Sequence, residues 1–343
     1  MRILLVRTSA LGDVVHCLPV LTALRRHLPG ARLGWVVEGA MAPLLDGHPD
    51  LDELIEVRLR PWRRRPLAVN TWREAGAFLD ALARFAPDVV IDLMGNHKAG
   101  ILGALTLSDR RIGFARRTRR EPSSAMWISE PVRPRGLHAV DRALSLLDAL
   151  DLPRERPDFG PEKLFPQLPP VAESFLAAHP RPFALIHPGA GWANKRYPPA
   201  GWAEVARGLA ERAGLAVWVA AAPGEEPLAH AVEAASGGAA QAIDVGSLAF
   251  LSAIARRARL VLGGDTGPIH LAHALGAPVL MLLGPTDPAR HGPYAAPERA
   301  LYRLLPCSFC YRRFDETKAC LLDLAPRMVL ERALGLLARA ALN

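Results

Sequence analysis

Short apolar strands and amphipathic helices alternate along this chain in two separate series, with six prolines between them, and few folds accommodate that pattern. In the first series, strands are expected near residues 2–7, 33–37, 53–57 and 88–92, separated by helices over Val14–Leu28 and Trp72–Phe85. Pro153, Pro157, Pro161, Pro166, Pro169 and Pro170 then form a stretch that neither a regular helix nor a central strand tolerates. After this linker the alternation restarts. Strands are expected at Phe183–Ile186, Leu215–Ala220, Arg259–Leu262 and Val279–Leu283, with helices at Ala200–Arg212, Pro227–Ala235, Ser247–Arg257 and Pro268–Leu275. Repeated strand–helix–strand units build parallel sheets covered by helices. The chain therefore reads as α/β, with two Rossmann-like parallel-sheet domains over 1–160 and 161–325. A terminal amphipathic run over 326–343 is expected to pack back across the cleft between them. Two open α/β domains bind ligands beyond the carboxyl ends of their strands, so a central cleft is the expected site.

Composition narrows the class. A length of 343 residues supports two sizeable cores, and 50% hydrophobic with 22% charged residues is ordinary for a soluble globular protein. No apolar run approaches the ~20 residues of a membrane span. The strand Ile3–Val6 runs into a polar turn instead of a signal-peptide core, so a cytoplasmic protein is expected. The net charge of +8 points to an acidic partner. It is concentrated around Trp62, in Arg58, Arg60, Arg63, Arg64 and Arg65, and again in Arg116, Arg117, Arg119 and Arg120. No helix-turn-helix, zinc finger or RNA-binding signature accompanies these patches, so nucleic acid is not the expected partner; anionic lipid or an acidic sugar suits them. Cys17, Cys307, Cys310 and Cys320 are too few for a disulfide scaffold. The last three form C-x2-C-x9-C, either part of a metal site whose nearest fourth ligand is His291 or a loop of free, redox-sensitive thiols.

Three turns carry the chemistry. Leu262 to His270 places a strand, glycines and a helix start in succession, with Pro268 suited to the first helical position. Backbone N–H groups and the positive helix end would hold a diphosphate there, helped by Thr266 and His270; the competing reading makes Asp265 or Thr266 a simple cap. In His187 to Pro198, Gly189 and Gly191 permit close backbone approach, and Lys195 offers a mobile point charge for phosphate. At the first strand's end, Arg7 to Asp13 presents a carboxylate at a strand-to-helix turn, either a general base or an N-cap. Glu225, after another strand, suits ribose hydroxyls, or else it or Glu226 favours the next helix start. No G-x-G-x-x-G fingerprint follows an early strand and no Walker loop is present, so nicotinamide and P-loop chemistry are unsupported. Asp50-Leu-Asp52 matches an Asp-x-Asp metal motif but is expected to precede a strand, and no metal or other cofactor is expected.

The start Met1 to His16, the turn Gly189 to Lys195, and Gly264 to His270 with Gly284-Pro-Thr286 together resemble glycosyltransferase family 9, the ADP-heptose:lipopolysaccharide heptosyltransferases. Arg60-Pro-Trp-Arg63, Ile91 to Gly95 with Lys98, Arg119 to Pro122 and His138 to Arg142 look most like the heptosyltransferase I branch, which adds the first heptose to the Kdo region of Kdo2-lipid A. The resemblance implies a GT-B architecture, metal-independent inverting transfer and ADP-heptose as donor. It implies Asp13 as general base, with Lys195 assisting catalysis. Gly189, Ala190, Lys195, Glu225, Asp265, Thr266, Gly267 and His270 would hold the donor, and Ser9, Gly12, Arg60, Arg63, Lys98 and Arg120 the acceptor. It further implies a peripheral place on the anionic cytoplasmic face of the inner membrane. Two features depart from the branch pattern: the Cys307–Cys320 segment resembles second heptosyltransferases, and Tyr197 stands where tryptophan is expected. A later heptosyltransferase and a non-catalytic nucleotide- or lipid-binding protein are the alternatives.

Overall fold

Each series of strands forms one parallel six-stranded sheet. The computed structural model describes residues 1–342; Asn343, the last residue of the expected terminal run, lies outside them. The chain divides into two units, Met1–Leu164 and Phe165 onward. The first contains β1 (Arg2–Val6), β2 (Arg32–Glu38), β3 (Glu53–Val57), β4 (Val89–Asp92), β5 (Arg110–Phe114) and β6 (Glu130–Val132), in the order β3-β2-β1-β4-β5-β6. The second contains β7 (Phe183–His187), β8 (Ala216–Ala221), β9 (Gln241–Asp244), β10 (Leu260–Gly264), β11 (Val279–Leu283) and β12 (Ala300–Tyr302), in the order β12-β11-β10-β7-β8-β9. Both follow the doubly wound order, which reverses direction between β1 and β4 in one unit and between β7 and β10 in the other. Helices cover both faces of such sheets, which is why Ile3–Val6, Phe183–Ile186 and Val279–Leu283 are continuous apolar runs buried throughout.

Local chemistry accounts for where these elements differ from expectation. The helix expected over Val14–Leu28 is two helices, Leu11–Val15 and Leu18–His27. Pro19 has no N–H to give the Val15 carbonyl, so the first helix ends there. The terminal helix Pro326–Leu342 buries Val329 and Ala333 in the second unit's core, and Leu330 rests on Gly208 of the helix Pro199–Ala213. The proline-rich stretch is fastened to the first unit: Arg26 pairs with Glu155 and Asp158, and Lys163 lies 2.7 Å from the buried Asp50. Asp50 and Asp52 are thereby structural, Asp52 accepting from the Leu33 N–H and from Arg25 immediately before β3. Among the described residues, no helix is long and apolar enough to cross a membrane.

Candidate active site

The site residues flank the two switch points. In the second unit, β10 ends at Gly264, and Asp265 and Thr266 lead into the helix Gly267–Ala274. A Cβ on Gly264 would lie 2.6 Å from the Lys195 carbonyl oxygen, so only glycine lets the two turns approach this closely. Asp265 is buried and neither caps the helix nor faces outward. Its Oδ2 accepts from Lys195 Nζ at 2.6 Å and from the Thr286 hydroxyl at 2.7 Å, and its Oδ1 meets His270 Nε2 at 2.8 Å. Burial alone would raise this carboxyl's pKa, but the His270 hydrogen bond and the Lys195 charge outweigh burial and hold it well below the ordinary range. Three motifs far apart in sequence, around Lys195, Asp265 and Thr286, thus meet at one carboxylate.

Lys195 is therefore fixed, not mobile as its sequence context suggested. Its ammonium also lies 4.4 Å from the Trp192 ring centroid, and Arg313 approaches the same ring at 4.6 Å. Thr266 is the N-cap residue but makes no capping hydrogen bond through its side chain, and Pro268 is the second helical residue instead of the first. With no N–H on Pro268, the Gly267 N–H and the half-buried Thr266 hydroxyl are the donors at the helix mouth. Glu225 packs against Gly189 and pairs with Arg196 at 3.0 Å, while Arg196 Nε also donates to the Ala190 carbonyl. Glu226, not Glu225, serves the next helix start, accepting from the Gly224 N–H at 2.8 Å. Tyr197 is buried, and its hydroxyl donates to the Leu324 carbonyl. Cys307 and Cys310 are exposed and Cys320 is buried against Gly284; all three are free thiols.

In the first unit, Asp13 is the third residue of the helix Leu11–Val15, not its N-cap. Its Oδ2 accepts from the Ala10 N–H at 3.2 Å and pairs with Arg7 Nη2 at 2.6 Å. Arg7 is in turn held by the Leu93 carbonyl at 2.6 Å, so the two strand ends beside the switch point together set the carboxylate's orientation. Half-buried Ser9 and buried Gly12 lie in this turn. Glu38, at the end of β2, accepts from Lys98 Nζ at 3.2 Å and from the Arg60 N–H at 3.1 Å. Lys98 and the Arg60 backbone thereby meet at one carboxylate, while Arg63 is exposed on the following helix Leu59–Arg64. Arg120 is exposed beside Gly95. Arg119, expected to belong to the same surface patch, is instead buried and bound to Asp92 and Ser124. Glu38, Arg7 and Arg196 were missed from sequence. A lone acidic residue closing the otherwise apolar strand Leu33–Val37 was the available sign of Glu38.

Residues 76–321 match the model of glycosyltransferase family 9 (heptosyltransferase). The chain is 35% identical to lipopolysaccharide heptosyltransferase 1 of Pseudomonas aeruginosa, covering 91% of this chain and 87% of that protein. It is 32% identical to lipopolysaccharide heptosyltransferase 1 of Salmonella typhimurium, covering 88% and 93%. The structure of Escherichia coli heptosyltransferase WaaC with ADP superimposes with a TM-score of 0.81 at 27% identity, covering 98% of this chain and all of that one. With sequence and fold agreeing over nearly its full length, the chain belongs to glycosyltransferase family 9, the heptosyltransferases.

Proposed function

We propose that this heptosyltransferase moves L-glycero-D-manno-heptose from ADP-heptose to the Kdo region of Kdo2-lipid A, the first heptosyl step of the lipopolysaccharide inner core. The observation that carries the donor half is the buried Asp265 network, which fixes an ammonium and a helix start beside each other at the end of β10. The E. coli relative was solved with ADP, and a diphosphate is the anion this arrangement suits. The names of the heptosyltransferase 1 relatives support the acceptor assignment.

The chemistry is a single displacement with inversion. Asp13 takes the proton from the acceptor hydroxyl as that oxygen attacks the anomeric carbon, and the bond to the diphosphate breaks on the opposite side. Arg7 holds the carboxylate in place for this step. Negative charge grows on the departing ADP, where Lys195, the Gly267 N–H and the Thr266 hydroxyl stabilise it. Because Asp265 aligns Lys195 beforehand, little reorganisation is needed when the charge appears. Glu225, with Gly189 and Ala190, forms the ribose end of the donor site. Arg60, Arg63, Lys98 and Arg120 bind the carboxylates of Kdo, anions that guanidinium groups recognise in bidentate fashion. Such an acceptor is embedded in a bilayer, so the enzyme works at the anionic cytoplasmic face of the inner membrane as a peripheral protein.

The experiment is ADP release from ADP-heptose with Kdo2-lipid A, with a heptosylated core acceptor, and with none. Release dependent on Kdo2-lipid A supports the proposal. Preference for the heptosylated acceptor would make this a later heptosyltransferase, and no release with either would leave a binding protein.

A further inference from the structure

The corner between the helices Leu59–Arg64 and Val69–Phe85 combines two features that the donor and acceptor chemistry does not use. The longer helix has two apolar faces. One carries Phe78, Leu82 and Phe85 into the core. The other carries Val69, Trp72, Gly76, Leu79 and Ala83 at the i, i+3, i+7, i+10, i+14 spacing of a single stripe, turned roughly 130° from the first. Leu67, Val69 and Trp72 are 90%, 82% and 68% exposed, the greatest concentration of bare apolar side chains in the first unit. A stripe of this kind is costly in water and marks a surface that meets something apolar.

Charge identifies the occupant. Arg64 and Arg65 are exposed immediately before the stripe, Arg73 is exposed along its edge with a hydrogen bond to Asn70, and among the described residues none of the three forms an ion pair. Guanidinium groups around a projecting tryptophan and aliphatic side chains match an anionic lipid surface: the arginines meet phosphate headgroups while Trp72, Leu67 and Val69 enter the headgroup–acyl boundary. The corner is rigid enough to act as a unit. Trp62 donates to Glu74 at 2.9 Å and packs edge-on against Phe78 at 6.0 Å, and the Thr71 hydroxyl donates to the Arg65 carbonyl at 2.7 Å.

We infer that this corner is the element that docks the protein on anionic bilayers, with Leu67, Val69 and Trp72 inserting and Arg64, Arg65 and Arg73 engaging headgroups. The inference deepens the peripheral-membrane part of the proposed function. It gives that part a structural reason: the arginines assigned to the acceptor sugars, Arg60 and Arg63, lie on the helix Leu59–Arg64, seven and four residues before Leu67, so the acceptor-binding segment runs directly into the inserting one.

The test is co-sedimentation with vesicles of phosphatidylethanolamine and phosphatidylglycerol, and with phosphatidylcholine alone, for wild type, the triple change Leu67→Ser, Val69→Ser and Trp72→Ser, and the double change Arg64→Ser and Arg65→Ser. Wild type is expected to bind only the anionic vesicles, and each variant to bind them at least about tenfold more weakly, with unchanged melting temperature. In vesicles carrying brominated acyl chains, quenching of tryptophan fluorescence is expected in wild type and lost in Trp72→Phe. Equal binding by the triple variant and wild type would overturn the inference. So would concentration-dependent dimerisation that the triple change abolishes, which would assign the stripe to a second copy of the chain. Heptosyl transfer to a water-soluble, delipidated Kdo acceptor is measured alongside. Wild type that transfers to it but ignores vesicles would overturn the docking corner and leave the enzymatic reading intact, whereas vesicle binding without transfer would do the reverse.

Discussion

Asp13 and His187 each carry a consequence that a single substitution can reach. Asparagine at position 13 keeps the oxygen that accepts from the Ala10 N–H but cannot take a proton. Asp13→Asn should therefore lower kcat by about 100- to 10,000-fold, the range for losing a general base, while the protein melts within a few degrees of wild type. Near-normal turnover would remove Asp13 from the chemistry. His187 closes β7 in a fully enclosed position, and burial pushes its pKa down from 6.5 to about 4. The folded state then binds this proton less well than the unfolded chain. The stability contributed by neutral His187 is complete above pH 6.5 and is lost as pH falls toward 4, by up to about 3 kcal/mol. Urea melts at pH 7 and pH 4.5 should show that decline, and His187→Gln should flatten it; an equal decline in the variant would place the acid sensitivity elsewhere. At this scale the sequence identified residues better than their partners. Lys195 and Asp265 stand out from their own turns, yet their hydrogen bond joins residues 70 positions apart. Periodicity and local motifs carry no information about contacts at that separation, so the Glu38–Lys98 and Glu225–Arg196 pairs were equally invisible.

Among elements, most of the legible strands are buried on both faces; the edge strand β3 is legible too, through the apolar residues Leu54, Ile55 and Val57. β1, β4, β7, β10 and β11 are short apolar runs and stood out, whereas β6, β9 and β12 were missed. Of these, β6 and β9 lie at sheet edges with partly exposed residues and β12 is a three-residue edge strand, so none carries the apolar signature of an inner strand. Pro131 within β6 is also what an edge permits and a central strand does not. β5 was missed because it opens on Arg110 and Arg111, charged residues that only the neighbouring Glu130 and backbone carbonyls make acceptable. The strand-to-helix turns can be tested through their glycines. A methyl group on Gly264 would sit 2.6 Å from the Lys195 carbonyl, backbone against backbone, whereas one on Gly191 would meet nothing within 4 Å. Gly264→Ala should cost about 1–3 kcal/mol and raise the donor KM, because the Asp265–Lys195 alignment depends on that approach. Gly191→Ala should leave both unchanged. Thermal melts and donor titrations on the two variants compare the sites directly, and equal effects would mean that the close approach is not what the donor site needs.

The whole molecule carries the same topology twice with different chemistry at each switch point. One copy presents a buried carboxylate that aligns a lysine beside a helix start; the other presents a half-exposed carboxylate braced by arginine, near a second carboxylate that gathers Lys98 and the Arg60 backbone. On the proposed reading charge divides the labour: the first arrangement suits the diphosphate and the second the acceptor hydroxyl with its acidic sugars. In the sequence this division comes only as an implication of the family resemblance, while the surplus of +8 points to an acidic partner without saying which. If the division holds, ADP alone should act on the second unit. At a hundredfold excess over its Kd, ADP stabilises whatever binds it by about 2.7 kcal/mol. Hydrogen exchange with and without ADP should therefore show slowed exchange in peptides spanning 187–196, 222–226, 263–270 and 284–287, and no change across 7–16 and 38–65. Slowing of comparable size in the 7–16 turn would mean that the nucleotide is held by both units, and Asp13 would then have to be reconsidered as part of the donor site. Slowing confined to the second unit would leave the Asp13 turn free for the acceptor, which is what a base acting on the incoming hydroxyl requires.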